Sequence, residues 1–242
     1  MMKNFVVSHD EWKYLIDILQ NPEVDTDINQ ELFESLELKK YIDFDFDGNV
    51  NLDEYLAVLL KICFNSTKQL SFTSVLKRDE NAKHIFFSCD EGNVLLVEED
   101  GFYILKKTSK EEIEKFFSEL LNKLDGNYIE FPEKDVLVSD LKTIKEAYTL
   151  HKNFESTNIL NELFGQEVTN IIVEALTVGE DYYSIISINK DSENTKVDSL
   201  IFISNEHYLV EVTPTVLELR DSVQFKGVSY DYIKNKINML SV

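Results

Sequence analysis

Apolar side chains recur along this chain with two different periods, and the changes of period divide it into helical and extended stretches. Trp12, Leu15, Ile16 and Leu19 fall at helical spacing. Ser8 and Glu11 ahead of them make a capping box, in which hydroxyl and carboxylate each accept from the other residue's N–H. Val7 and Trp12 stand at the staple positions, and Trp12 is expected to anchor this helix in the core. Asn21-Pro22 ends it. Two more amphipathic helices are predicted over Ile28–Tyr41 and Leu52–Phe64.

The period then drops to two. Strands are predicted around Leu70–Val75, Ile85–Phe87, Val94–Val97 and Phe102–Leu105, with turn residues at 90–93 and at Asp100-Gly101. That spacing predicts an antiparallel meander. A helix capped by Ser109 and Glu112 follows and closes at Gly126, and residues 127–138 read as a connection around Pro132. A helical region runs from Asp140 to Leu176 with breaks near Asn153 and at Gly165. Tyr182–Ile188, Leu200–Ile203, Tyr208–Val212 and Val216–Leu219 are strand candidates, and Val228–Leu240 is a closing helix. The order of strands followed by a helix therefore occurs twice. It predicts an α+β fold of two pseudo-two-fold-related units of antiparallel strands plus helix, with helical N-terminal and middle segments. The expected organisation is a single domain over 1–242, made of a unit at 1–126 and a second at 139–242.

Composition narrows the range of partners. The chain has 242 residues, 43% hydrophobic and 12% aromatic, enough for a substantial core. Asp and Glu number 45 against 24 Lys and Arg, a formal charge of −21. That charge repels phosphate, so neither nucleic acid nor insertion into an anionic membrane is expected. Residues 1–60 hold 14 acidic and 4 basic side chains, making this the most negative region. No stretch approaches the roughly 20 apolar residues of a membrane span, and the N-terminal residues do not read as a signal peptide. Cys63 and Cys89 stand in apolar runs and read as buried thiols of a reducing compartment. The expected location is cytoplasmic.

Candidate chemistry is sparse. DFDFDGNVNLDE at 43–54 has the spacing of a calcium loop, with Asp43, Asp45, Asp47 and Glu54 at ligand positions and Gly48 at the turn. Against that, Phe46 occupies a normally polar position and no second loop exists to pair with it. The alternative is an acidic turn with Phe44 and Phe46 packed inward, and no metal or cofactor is assigned. His9, His84, His151 and His207 have no near Cys or His partner. Neither a nucleophile signature nor a phosphate-cradling glycine loop occurs, so no catalytic residue and no enzyme activity is expected.

The leading helix with Glu11-Trp12 and Leu15, the segment YIDFDFDGNVNLDEYLAVLL, the strands LSFTSVL, HIFFSC, NVLLVEE and FYILKK, and the second set of strands with its final helix resemble the EspG-type chaperones of type VII secretion systems. In that family the acidic segment matches a Leu-Val-Asp-x-x-Gly-x-Val turn that needs no metal. The resemblance implies mixed α/β units related by a pseudo-two-fold, a cytosolic chaperone that binds a secreted protein substrate, and no catalysis. It carries over no binding residue.

The residues themselves point to the helical middle. Between Phe154 and Leu176, Ile159, Leu160, Leu163, Phe164, Ile171, Ile172 and Leu176 exceed what one buried stripe needs. Phe154, Leu163 and Phe164, flanking the break at Gly165, are the expected partner-binding residues. Two other readings remain open at this point: an acidic immunity protein or antitoxin that blocks a basic toxin, and a single calcium-binding module. The sequence leaves the oligomeric state open.

Overall fold

The computed structural model describes residues 3–20, 30–46, 49–75, 82–151, 157–177, 182–191, 194–217 and 220–241. The chain forms two compact units. One comprises Met1–Leu70, Ala82–Ile113 and Ile188–Lys196; the other comprises Ser71–Asn81, Glu114–Ser187 and Val197–Val242. The division therefore does not fall in the expected connection at 127–138, because the helix after the first meander goes mostly with the second unit.

In the first unit, β1 (Phe5–Ser8) leads into α1 (His9–Gln20), followed by α2 (Gln30–Leu38), a small ribbon of β2 (Ile42–Phe44) and β3 (Val50–Leu52), and α3 (Glu54–Phe64). β4 (Lys68–Val75), which passes into the second unit after Leu70, follows; β5 (Ala82–Cys89), β6 (Gly92–Glu99) and β7 (Phe102–Thr108) then form the expected meander, with β1 added in the order β1-β7-β6-β5. The turn between β6 and β7 is Asp100-Gly101, with φ of 49° and 79°. Both values are positive, as a two-residue type I′ hairpin requires. α1 and α3 pack on the sheet and α2 packs on α1 and β2, and Phe5, Leu15, Leu36, Leu56, Leu59 and Leu60 are fully buried.

Both halves of the Ser8–Glu11 capping box are made, the Glu11 N–H to Ser8 Oγ at 3.2 Å and the Ser8 N–H to Glu11 Oε2 at 2.6 Å. The anchor of α1 is not the one expected. Leu15 and Ile18 are buried, whereas Trp12 is half-buried with its ring beside Tyr103. The expected stop at Asn21-Pro22 and the start of α2 at Ile28 lie outside the described residues. α2 ends in a Schellman pattern: Tyr41 N–H donates to Leu36 C=O at 2.9 Å and Lys40 N–H to Glu37 C=O at 2.8 Å, with Lys40 at φ 59°. Leu52 belongs to β3, and α3 starts after Asp53, whose side chain accepts from the N–H groups of Tyr55 and Leu56.

In the second unit, α4 (Lys110–Lys123) precedes β8 (Phe131–Leu137), α5 (Val138–His151) and α6 (Asn158–Thr177). The remaining elements are β9 (Tyr182–Lys190) and β10 (Thr195–Ser204), whose residues Ile188–Lys196 belong to the first unit, β11 (Leu209–Leu217), β12 (Arg220–Gly227) and α7 (Tyr230–Ser241). β10, β11, β12 and β8 pair in that order, antiparallel throughout. α5 and α6 bury Ile144, Leu160, Ile172 and Val173 with Val210 and Phe225 of the sheet. The capping box of α4 is also made, with Glu112 N–H to Ser109 Oγ at 3.2 Å and Ser109 N–H to Glu112 Oε2 at 3.0 Å.

Two corrections concern proline. Residues 127–138 contain an edge strand, β8, and not only a connection. Pro132 is tolerated there because the ladder with β12 shifts register between Phe225 and Gly227, and an edge strand needs no second partner. Gly227 is required at the shift: a Cβ there would lie 2.6 Å from the Phe131 backbone nitrogen. Secondly, Val216 does not begin a new strand. β11 runs straight through Pro214, whose partner on β12 is Val223, while the pairing of β11 with β10 covers only Leu209–Glu211. The missing N–H of Pro214 therefore lies beyond the doubly paired part of the strand. The fourth strand is β12, and Glu218 and Leu219 lie outside the described residues.

Candidate partner-binding site

The site is built on α6, which bends because Gly165 has φ 76° and ψ 166°, a conformation reserved for glycine. No atom lies within 4 Å of where a Cβ would stand, so the demand is one of backbone conformation and not of space. Beyond the break, Val168, Ile171, Ile172 and Val173 are buried. Ahead of it, Leu160 is fully buried, while Ile159 and Leu163 stand four apart and are 47% and 37% exposed. These two form a short apolar stripe open to solvent, beside exposed Asn158 and Glu162.

The three expected contact residues separate. Leu163 is exposed, as a contact residue must be. Phe164 is half-buried: its ring packs edge-to-face on Phe131 at 5.7 Å and on Phe225 at 5.8 Å, so it secures the first half of α6 to the sheet. Phe154 lies outside the described residues. Ile159, part of the apolar surplus, joins Leu163; spacing alone does not say which side of the helix meets the sheet. The segment past Gly165 is fixed by Glu167, which accepts a hydrogen bond of 2.9 Å from the Tyr208 hydroxyl. That bond, together with burial, raises the Tyr208 phenol above its ordinary range.

The same unit has an open cavity of about 730 Å³, with Asp125, Glu174 and Glu206 at its wall beside Tyr128 and Tyr183. Periodicity gave no sign of it, because its residues come from the end of α4 and the turn after it, from α6, from β9 and from the loop after β10. Asn205 shapes that loop by accepting from the N–H groups of His207 and Tyr208, both at 2.8 Å.

The acidic segment at 43–54 is a hairpin. Ile42 pairs with Leu52, Asp43 with Asn51 and Phe44 with Val50. Asp45 accepts from the Asn49 N–H and side-chain amide, both at 2.8 Å. Asp53 is occupied by its N-cap bonds and by Lys3 at 2.6 Å. Asp47 and Gly48 lie outside the described residues. Among the described residues, no group of three or more His, Cys, Asp and Glu side chains is placed to hold a metal. The expectation that Phe44 and Phe46 pack inward fails: Phe44 is 43% exposed and Phe46 is entirely exposed.

Cys63 is buried, and burial pushes its thiol up to about 12, while Cys89 is only half-buried. His9 Nδ1 shares a hydrogen bond of 2.8 Å with the Tyr103 hydroxyl. Burial, with the nearby charge of Lys106, lowers the pKa of His84. No helix among the described residues is long and apolar enough to cross a membrane.

These elements define a mixed α+β protein with a large antiparallel sheet content and helical cover. A scan against protein-family models found no match, and a search of curated proteins found none. Among solved structures the fold is similar to that of the Mycobacterium tuberculosis type VII secretion system chaperone EspG5, solved in complex with the PE25–PPE41 dimer. The TM-score is 0.57 at 8% sequence identity, over 98% of this chain and 95% of that one. The likeness is one of fold and runs from end to end.

Proposed function

We propose that this protein is a cytosolic chaperone or adaptor that binds a secreted protein substrate, as in type VII secretion, and performs no catalysis. The observation that carries this reading is the end-to-end fold likeness to a secretion chaperone. The exposed Ile159–Leu163 stripe supports it, since an amphipathic segment of a partner can bury such a stripe. The partner would be a helical exported protein held in a soluble complex.

The experiment is co-purification of the full chain from its native cytosol, followed by reconstitution of the complex from purified components. The expected result is a stoichiometric complex with one exported helical protein, of micromolar affinity or better. A partner that is a toxin, silenced by an equimolar amount of this protein, overturns the chaperone reading. So does a substrate consumed by the purified chain.

A further inference from the structure

The first unit carries a second surface, distinct from the α6 stripe and argued independently of the chaperone reading. Side chains alternate along the β2–β3 ribbon, which puts Ile42, Phe44, Val50 and Leu52 on one face and Asp43 and Asn51 on the other. Along β2, exposure on this face rises toward the tip. Ile42 and Val50 are buried, Phe44 is 43% exposed with its ring 4.8 Å from that of Phe33, and Phe46 is 112% exposed. Leu38, at the end of the helix that feeds the ribbon, is 86% exposed. The ribbon thus carries its core-facing row of side chains outward past the core, ending in the exposed ring of Phe46.

Charge decides what can cover this tip. Residues 31–54 contain Glu31, Glu34, Glu37, Asp43, Asp45, Asp47, Asp53 and Glu54 against Lys39 and Lys40. Lys39 is already held by Glu11 at 2.7 Å, and Lys3, the cation nearest Asp53, is held there at 2.6 Å. A phosphate-rich surface is repelled from this region, and a second copy would bring the same carboxylates face to face. We propose that the tip of this ribbon, Phe44 and Phe46 flanked by carboxylates, docks a basic amphipathic segment of a protein partner. Its apolar side would bury the two rings, and its Lys and Arg side chains would meet the acidic flank. Such a contact has the anatomy of a small hot spot: an aromatic anchor gives the affinity and the charged rim gives steering and selectivity.

The test uses the full chain and a synthetic helix-forming peptide of about 18 residues built from Leu and Lys, with a Leu–Glu peptide as control. Fluorescence anisotropy should show binding of the Leu–Lys peptide alone, weakening as salt rises to about 0.3 M. Hydrogen exchange should slow over 42–46 and 49–52. Phe46→Ser should lose about tenfold or more in affinity with an unchanged melting temperature, because that ring contributes nothing to the core. Asp43→Asn should weaken binding less, and chiefly at low salt. The proposal is overturned if Phe46→Ser binds as tightly as the parent, if the Leu–Glu peptide binds equally, or if protection appears elsewhere. It is also overturned if Phe46 instead mediates self-association in sedimentation or attachment to anionic phosphatidylglycerol vesicles.

Discussion

Glu11 shows how one side chain can serve two levels of structure. It closes the capping box of α1 through the Ser8 N–H, and the same carboxylate reaches the end of α2, where the Ser35 hydroxyl donates at 2.7 Å and Lys39, just past the helix, lies at 2.7 Å. Burial pushes the carboxyl upward. The hydrogen bonds from Lys39, the Ser8 N–H and the Ser35 hydroxyl outweigh that and hold it below the ordinary carboxylate range. Asp53 behaves similarly: burial is overcome by Lys3 and the N–H groups of Leu56 and Tyr55. A lowered folded-state pKa means stability that is complete above the ordinary carboxylate pKa and lost as pH falls through the folded value. Denaturant midpoints should therefore decline from about pH 5 downward. Glu11→Ala should flatten that decline and cost about 2–3 kcal/mol at neutral pH, less than a fully buried pair because Lys39 stays partly hydrated. A parallel decline in parent and variant would show that other carboxylates govern the acid limb. The capping box was legible in Ser8-x-x-Glu11. The link to Lys39, 28 residues away, was not, because nothing local to either residue encodes it.

At the scale of elements, the Schellman end of α2 places Lys40, not glycine, at φ 59°. A left-handed conformation costs an L-residue about 1–2 kcal/mol, so Lys40→Gly should stabilise by about 0.5–1 kcal/mol, offset in part by the freer unfolded chain. A lower melting temperature for that variant would mean that the Lys40 side chain has a role that its exposed position does not suggest. The hairpin that follows uses part of the segment with calcium-loop spacing for its own structure. Asp45, one of the four ligand positions, is bonded within the turn, and Asp53, which is not one of them, caps α3. Millimolar calcium should leave the melting temperature unchanged, whereas a site filled to 100 times its Kd would add about 2.7 kcal/mol. A clear rise abolished by Glu54→Gln would establish a metal site. Elements whose determinants are local, such as the two capping boxes and the Asp100-Gly101 hairpin, were readable from sequence. β8 and the full length of β11 were not. Pro132 and Pro214 read as punctuation, and only the neighbouring strands reveal that their missing N–H groups have no ladder to break.

On the scale of the whole molecule, the fold is similar to that of a chaperone at 8% identity, so the likeness lies in the arrangement of elements and not in particular side chains. That is why the α+β class was legible while the burial of individual helix residues was not. The apolar surplus of the helical middle located α6, but the sheet beneath it sorts the individual residues. Phe164 is taken by Phe131 and Phe225, and Leu163 is left to solvent beside Ile159. The two neighbours should therefore respond differently to the same substitution. Phe164→Asp puts a carboxylate among aromatic rings and should destabilise the second unit by several kcal/mol, visible as a lowered melting temperature with or without a partner. Leu163→Asp changes an exposed position and should leave the fold within about 0.5 kcal/mol of the parent. If α6 is the docking face, Leu163→Asp should nonetheless lose the partner, since an unpaired carboxylate buried in an apolar contact costs several kcal/mol, enough to abolish a micromolar complex. Circular dichroism, thermal melts and titration of the reconstituted partner distinguish the outcomes. Full binding by a folded Leu163→Asp protein would move the docking face away from the first half of α6, and unfolding of that variant would show that Leu163 is core.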